Sequence, residues 1–313
     1  MATRRRTARE FQAPPLSRAD VEALSARNNE PDWLRQQRLA AWDLYESLPM
    51  PTTQDEAWRR TDYRHINWQS AGQLSANGGG AGFEDIPASS REPLLGEDQG
   101  AMVAFVNDRL VHREMSPALA EQGVIVTDLH TAVKEHPDLV RAHLMTHAVT
   151  PEIDKFAALH AAMWTHGTFV YVPRGVQAAL PAHSIFYATQ PAATLGHILV
   201  VLEEGAQLDY LHESLSPTLD ADASFIGVVE LIVGAAAHLR FVNLQDWGRH
   251  MFEFSHQRAR VAADGQLDWV AGQMGGKLIK AFMEIDLDGK GSWGRMSALY
   301  FPSGQQFMDL DTQ

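Results

Sequence analysis

The sequence predicts a mainly β chain: a parallel β-helix (solenoid) of stacked strand rungs, preceded by an α-helical N-terminal region. Three observations predict it. After Gly167 almost every segment is a short alternating run closed by Gly, Asp, Asn or Pro. The runs 202–211 (LEEGAQLDYL), 233–242 (VGAAAHLRFV) and 262–270 (AADGQLDWV) share one layout, in which small residues at a turn are followed by Leu, a variable residue and an aromatic. Leu208, Leu239 and Leu267 lie 31 and 28 residues apart, and Tyr210, Phe241 and Trp269 keep that spacing. An imperfect repeat of strands and small-residue turns, with no helical insert, is what stacked rungs produce. Leu and β-branched residues would point inward in columns, and Gly and Ala would let the chain turn corners. An antiparallel sandwich also alternates, and periodicity alone leaves it as the competing architecture.

The elements follow in chain order. Arg4, Arg5, Arg6 and Arg9 are interrupted by Glu10 and followed by no apolar segment, which fits a solvated tail better than a targeting signal. From Ser17 the segment SRADVEALSAR reads as a short helix, with Ser17 as N-cap, Asp20 as its capping-box partner, and Val21 and Leu24 apolar. Pro31 can start a second helix, in which Trp33, Leu34, Leu39, Trp42, Tyr45 and Leu48 recur at helical steps until Pro49-Met50-Pro51 stops it.

Residues 71–100, a mixture of Gly, Ser and Pro, read as a flexible linker. Met102 to Val111 alternates around Asn107-Asp108, as a hairpin does. Residues 127–145 return to helical spacing, and Asp154 to Trp164 forms another apolar-faced helix. The expected division is therefore an N-terminal helical region at 1–70, a linker at 71–100, a mixed α/β lead-in at 101–166, and a β-helix at 167–313 that is incomplete at its C-terminal end.

Asp plus Glu is 39 against 26 Lys plus Arg, and the net charge of -13 argues against nucleic acid as a partner. With no Cys, this chain alone supplies no disulfide, thiol nucleophile or thiolate ligand. The longest apolar stretches, such as Phe225 to Val233, fall well short of the roughly 20 residues that cross a bilayer, so no membrane insertion is expected.

Fourteen His residues raise the question of a metal. His143 and His147 are four apart on an expected helix, but no Glu follows His143 and the HExxH pattern is absent. A different class of function, a metal-dependent enzyme with a cupin-like barrel, would use His183, His197, His212 and Glu213 as ligands converging from separate strands. No nucleophile elbow, phosphate loop or dinucleotide fingerprint is present, and Met274-Gly275-Gly276-Lys277 reads as a solenoid corner. Trp58, Trp68, Trp164, Trp247, Trp269 and Trp293 read as core or rung-stack residues. No catalytic or cofactor-binding residue is assigned, and metal binding is left open.

Four stretches, EAWRRTD (Glu56 to Asp62), FVND (Phe105 to Asp108), DKFAALHAAMWTHGTFVYVPRGV (Asp154 to Val176) and FVNLQDWG (Phe241 to Gly248), together resemble the SufB/SufD family of iron–sulfur cluster assembly proteins. The likeness runs almost unbroken from Asp154 to about Leu310. EAWRRTD and the lack of Cys resemble the SufD type more than SufB. The resemblance implies a right-handed parallel β-helix after a helical domain. It also implies a cytoplasmic, non-enzymatic subunit that pairs with a SufB-like paralogue and works with a SufC-type ATPase, an iron–sulfur cluster belonging to the assembled complex and no cofactor to this chain alone. His160 and His166 stand where the family more often has Asn and Asp, so no ligand role is carried onto them. Family members continue beyond the position of Gln313 through further rungs to a C-terminal helical domain that carries the ATPase contact, a region expected to be missing from these 313 residues.

Overall fold

The computed structural model describes residues 12–75, 80–92 and 100–313. The Arg-rich stretch before them lies outside the described residues. Helix α1 (Arg18–Arg27) opens as expected, the Asp20 carboxylate accepting the Ser17 backbone N–H at 2.8 Å. Helix α2 (Asp32–Ser47) follows Pro31 and buries Leu34, Leu39, Trp42 and Tyr45. Two 3₁₀ turns (Glu56–Trp58 and Phe83–Asp85) and the short helices α3 (Trp68–Ala71) and α4 (Ala88–Arg91) come next.

The expected linker, 71–100, lies partly outside the described residues. Within the described part Leu74 bridges to Ala193, and Ile86 is buried.

Strands β1 (Ala101–Val106) and β2 (Arg109–Met115) form the expected antiparallel hairpin, with Asn107 at φ 58° in its turn. After α5 (Pro117–Glu121) the chain enters β3 (Ile125–Asp128), α6 (Leu129–Glu135) and α7 (Pro137–His143). The helical reading of 127–145 therefore needs correction at its start. Thr127 and Asp128 belong to a strand, because Asp128 ends β3 and caps α6, its carboxylate accepting the Thr131 N–H at 2.9 Å. Helix α8 (Lys155–Met163) is buried along its whole length from Phe156 and is capped by Asp154.

From here the chain is all strand: β4 (His166–Val172), β5 (Ala182–Tyr187), β6 (Ala193–Leu202), β7 (Gln207–Leu215), β8 (Ala223–Val233), β9 (His238–Asp246), β10 (Met251–Val261), β11 (Gln266–Gln273), β12 (Leu278–Leu287), β13 (Trp293–Tyr300) and β14 (Phe307–Thr312). Consecutive strands alternate between two seven-stranded sheets. The first sheet has the order β14-β12-β10-β8-β6-β4-β3 and the second β13-β11-β9-β7-β5-β1-β2. Every pairing from β4 onward is parallel within its sheet, so the architecture is a parallel β-solenoid of about five turns and not an antiparallel sandwich. The two antiparallel pairs, β1 with β2 and β3 with β4, lie at its start, and β1 pairs parallel with β5.

Leu208, Leu239 and Leu267 are in register on adjacent strands and wholly buried, as are Tyr210, Phe241 and Trp269 beside them. The aromatic column is continuous, with ring centroids 5.5 Å apart between Tyr210 and Phe241 and 5.7 Å between Phe241 and Trp269. The corners explain the small-residue turns that precede each Leu. Gly175, Gly205, Ala236, Asp264 and Gly291 all have positive φ, one at each successive corner that leads from the first sheet to the second. A left-handed residue reverses the chain there, which is easy for Gly and strained for Ala236 and Asp264.

The outer face of the first sheet is covered by the helices. Trp58, Tyr63, Trp68 and Phe156 pack on Phe254, and the Phe156 and Phe254 rings are stacked at 4.4 Å. Arg38 of α2 is fully buried there. It pairs with Glu30 at 2.8 Å, donates to the carbonyls of Ala162 and Trp164, and lies 4.1 Å from the Trp164 ring centroid.

Candidate functional site

Polar side chains of the solenoid collect in three compartments, set by the period-two alternation of each strand. The first is the lumen. On the inward parity of β7, β9 and β11 the apolar Leu and aromatic positions give way to His212 and Ser214, then Asn243 and Gln245, then Ala271 and Gln273. His212 is held at both ring nitrogens, Nδ1 by Ser184 Oγ and Nε2 by Ser214 Oγ, each at 2.8 Å. Ser184 Oγ also meets the Tyr210 hydroxyl at 2.6 Å. Both His166 and His212 lie edge to face with Phe186, at 4.5 Å. Burial pushes each imidazole down to about 3, with neighbouring His residues adding repulsion, so both are neutral at ordinary pH.

Further along the lumen the Glu253 carboxylate accepts from Trp247 Nε1 at 2.8 Å, Gln245 Nε2 at 3.1 Å and Ser255 Oγ at 2.8 Å. Burial raises its pKa, against the opposing pull of those donors. Asn243 donates to Gln257 at 2.9 Å. A cavity of about 20 Å³, room for about one water, lies among these groups. The buried Gln273 amide meets neither a donor nor an acceptor among the described residues.

The second compartment is the outer face of the second sheet. His183 Nε2 lies 3.0 Å from Glu213 Oε1, and Glu213 also accepts from Ser90 Oγ at 2.9 Å, which ties the α4 segment to β7. The third is the junction between the helices and the outer face of the first sheet. There His197 of β6 meets His160 of α8 at 3.1 Å and Glu230 of β8 at 3.2 Å. Burial pushes His197 down to about 3 and Glu230 up to about 8.

These positions overturn the converging ligand set of the cupin-like reading. Of His183, His197, His212 and Glu213, only His183 and Glu213 meet. His212 points into the lumen and His197 stands outside the other sheet, because odd and even strand positions face opposite sides and consecutive strands belong to different sheets. Among the described residues no group of three or more His, Cys, Asp or Glu is arranged to hold a metal ion. His143 is half-buried on α7, and burial lowers its pKa.

The sequence reading missed the polar lumen and the Glu230 carboxyl. The lumen had a signal: His212, Ser214, Asn243, Gln245 and Gln273 share the parity of the inward Leu and aromatic positions that precede them. Glu230 had a weaker one, a single acid inside an otherwise apolar run.

The segments singled out as motifs are structural joints. Trp58 of EAWRRTD stacks on Phe156 at 5.3 Å, and Thr61 donates to Asp309 of the last strand at 2.5 Å. In FVNLQDWG, Phe241, Asn243 and Gln245 face inward and Trp247 donates to Glu253. The Met274-Gly275-Gly276-Lys277 segment is a corner, with Gly276 at φ 94° and no room at Gly275 for a Cβ, which would clash with the Trp247 backbone.

Residues 185–313 match the family model "SUF system FeS cluster assembly, SufBD core domain", and residues 95–182 match "SufBD protein N-terminal region". This chain belongs to the SufBD family. Similar curated proteins are the iron–sulfur cluster assembly SufBD family protein of Staphylococcus epidermidis, 27% identical over 299 residues, and one of Staphylococcus aureus, 26% identical over 299 residues. Each alignment covers 92% of this chain and 63% of the relative, so this SufBD chain spans under two thirds of the length of the curated relatives it matches. Among its described residues no helix is long and apolar enough to cross a membrane.

Proposed function

We propose that this chain acts as a SufD-like, non-catalytic subunit of a cytoplasmic iron–sulfur cluster assembly scaffold. It pairs with a SufB-like paralogue and works with a SufC-type ATPase. One observation carries the reading: a chain matched by both SufBD family models has no Cys at all. Iron–sulfur clusters are held chiefly by thiolates, so the thiolates of an assembled complex come from the partner and this chain supplies the rigid scaffold. The lumenal His212 is neutral and held at both ring nitrogens, which suits a framework better than a catalytic base.

The test has two arms. Anaerobic reconstitution with iron and sulfide should give no stable cluster absorbance on this chain alone and should give one when the SufB-like subunit is co-expressed. A stable cluster on the isolated chain sinks the proposal. In a pull-down on this chain with the SufB-like subunit co-expressed, the SufC-type ATPase is expected in the captured complex, and its absence refutes that half.

A further inference from the structure

We propose that Glu230, His197 and His160 form a proton-ordered chain, holding three protons and no net charge, that clamps α8 and the turn after α7 onto the outer face of the first sheet. The chain is read from its far end. His160 Nδ1 lies 3.0 Å from the carbonyl oxygen of Ile226. A carbonyl only accepts, so His160 carries its proton on Nδ1. Its Nε2 then presents a lone pair to His197 Nδ1, 3.1 Å away, and His197 must donate from Nδ1. Among the described residues His197 Nε2 makes no hydrogen bond, and the atom facing it is Glu230 Oε2, at an ion-pair distance of 3.2 Å. The third proton belongs to this pair of atoms, on one or the other. On the carboxyl it makes an acid beside a neutral imidazole, and on the ring it makes a carboxylate beside an imidazolium. Both arrangements hold three protons and sum to zero charge.

The other side of Glu230 is the clamp. Its two oxygens accept the backbone N–H groups of Met145, at 2.8 Å, and Val149, at 3.2 Å. These belong to a turn outside any helix or strand, with Met145 at φ 53°. His160, His197 and Glu230 are all fully buried, so losing a proton leaves a buried unpaired charge. A fourth proton is equally unwelcome, since it leaves a buried net positive charge and, on His160 Nε2, would set one N–H against another.

Other titratable and charged groups lie near the network. His143 lies at the end of α7 and His147 in the turn. Arg38 faces it from α2, and His166 lies on the lumen side of β4, near enough to His160 for the two rings to repel when charged. From β10 come His256, paired with Asp154 at 3.2 Å, and Arg258, paired with Glu284 of β12. Arg258 and Arg260 also donate to the carbonyls of Ala148 and His147, which strengthens the hold on the same turn. The closed proton count keeps the protonation of the folded junction constant near neutrality, with a proton lost on the alkaline side and gained on the acid side.

The full chain labelled uniformly with ¹⁵N tests this without any substitution. Long-range ¹H–¹⁵N spectra should show two imidazoles carrying hydrogen at Nδ1, joined by a coupling across the Nδ1–H···Nε2 hydrogen bond. Their shifts should stay constant between about pH 5.5 and 7.5, where a free imidazole goes from about 90% to about 10% protonated. The Met145 and Val149 amides should exchange as slowly as those of β8. An Nε2-protonated tautomer at His160, no coupling, a midpoint near 6.5 at either ring, or loop-like exchange at these amides would each overturn the proposal.

Discussion

The two halves of the lumen are built by the same strands and differ in what they do. In one half Leu208, Leu239 and Leu267 stack beside Tyr210, Phe241 and Trp269 in continuous apolar columns. In the other half the next inward positions are His212, Ser214, Asn243, Gln245 and Gln273, with Glu253 and Ser255 facing them. Rung register is the same in both. The apolar half gains from close packing, whereas the polar half must satisfy each buried donor and acceptor, and among the described residues the Gln273 amide has no partner. Stability therefore resides in the first half and any chemistry of the interior in the second.

The sharpest way to break this contrast is Trp269→Ala. Removing a wholly buried ring from the end of the aromatic column should cost about 3–5 kcal/mol, read as a lower denaturation midpoint at an unchanged denaturant slope. A loss below about 1 kcal/mol would mean that the column is not the stabilising half.

Acid should act on the polar half. His166 and His212 are depressed to about 3 in the fold, chiefly by burial, and relax to about 6.5 when unfolded. A depressed His binds fewer protons folded than unfolded between these values. Its contribution is present above pH 6.5 and is lost as pH falls toward 3, by up to about 1.4 kcal/mol per pH unit for each ring. Glu230 has the opposite sign. Raised to about 8, its contribution is full below about 4.5 and is lost as pH rises through 8. Urea titrations across pH should show stability falling on the acid side, and His212→Gln should flatten that limb. An unchanged slope in the variant contradicts the assignment.

A corner test compares one sheet-to-sheet turn with another. Gly205→Ala forces a side chain into a left-handed conformation at φ 69° and should destabilise by about 1–2 kcal/mol. Ala236→Gly, at φ 53°, should be neutral or gain up to about 1 kcal/mol. Thermal midpoints moving the other way would remove the corners as the reason for the small residues.

The smallest effect belongs to the lumen amide. Gln273→Met replaces an unpartnered buried amide with an apolar chain of similar length and should raise stability by about 1 kcal/mol. A loss of that size would show that bound water satisfies the amide.

Much of this fold was legible before any coordinates. The Leu and aromatic columns, the Ser17 cap, the hairpin turn at Asn107-Asp108 and the corner residues all follow from short-range rules. Inward parity has a period of two, caps act within three residues, and left-handed turns favour small side chains. The helical start at Thr127 was misplaced because Asp128 serves both as the end of a strand and as a helix cap.

Which polar side chains meet was decided only by the tertiary structure. His160, His197 and Glu230 come from a helix and two strands, and His183 and Glu213 meet while His212, next in sequence to Glu213, faces the lumen. The sequence alone sets which side of its own strand each residue faces. Their meeting depends on rung length, on parallel register and on where α8 docks, all settled by packing the whole solenoid against its helical cover.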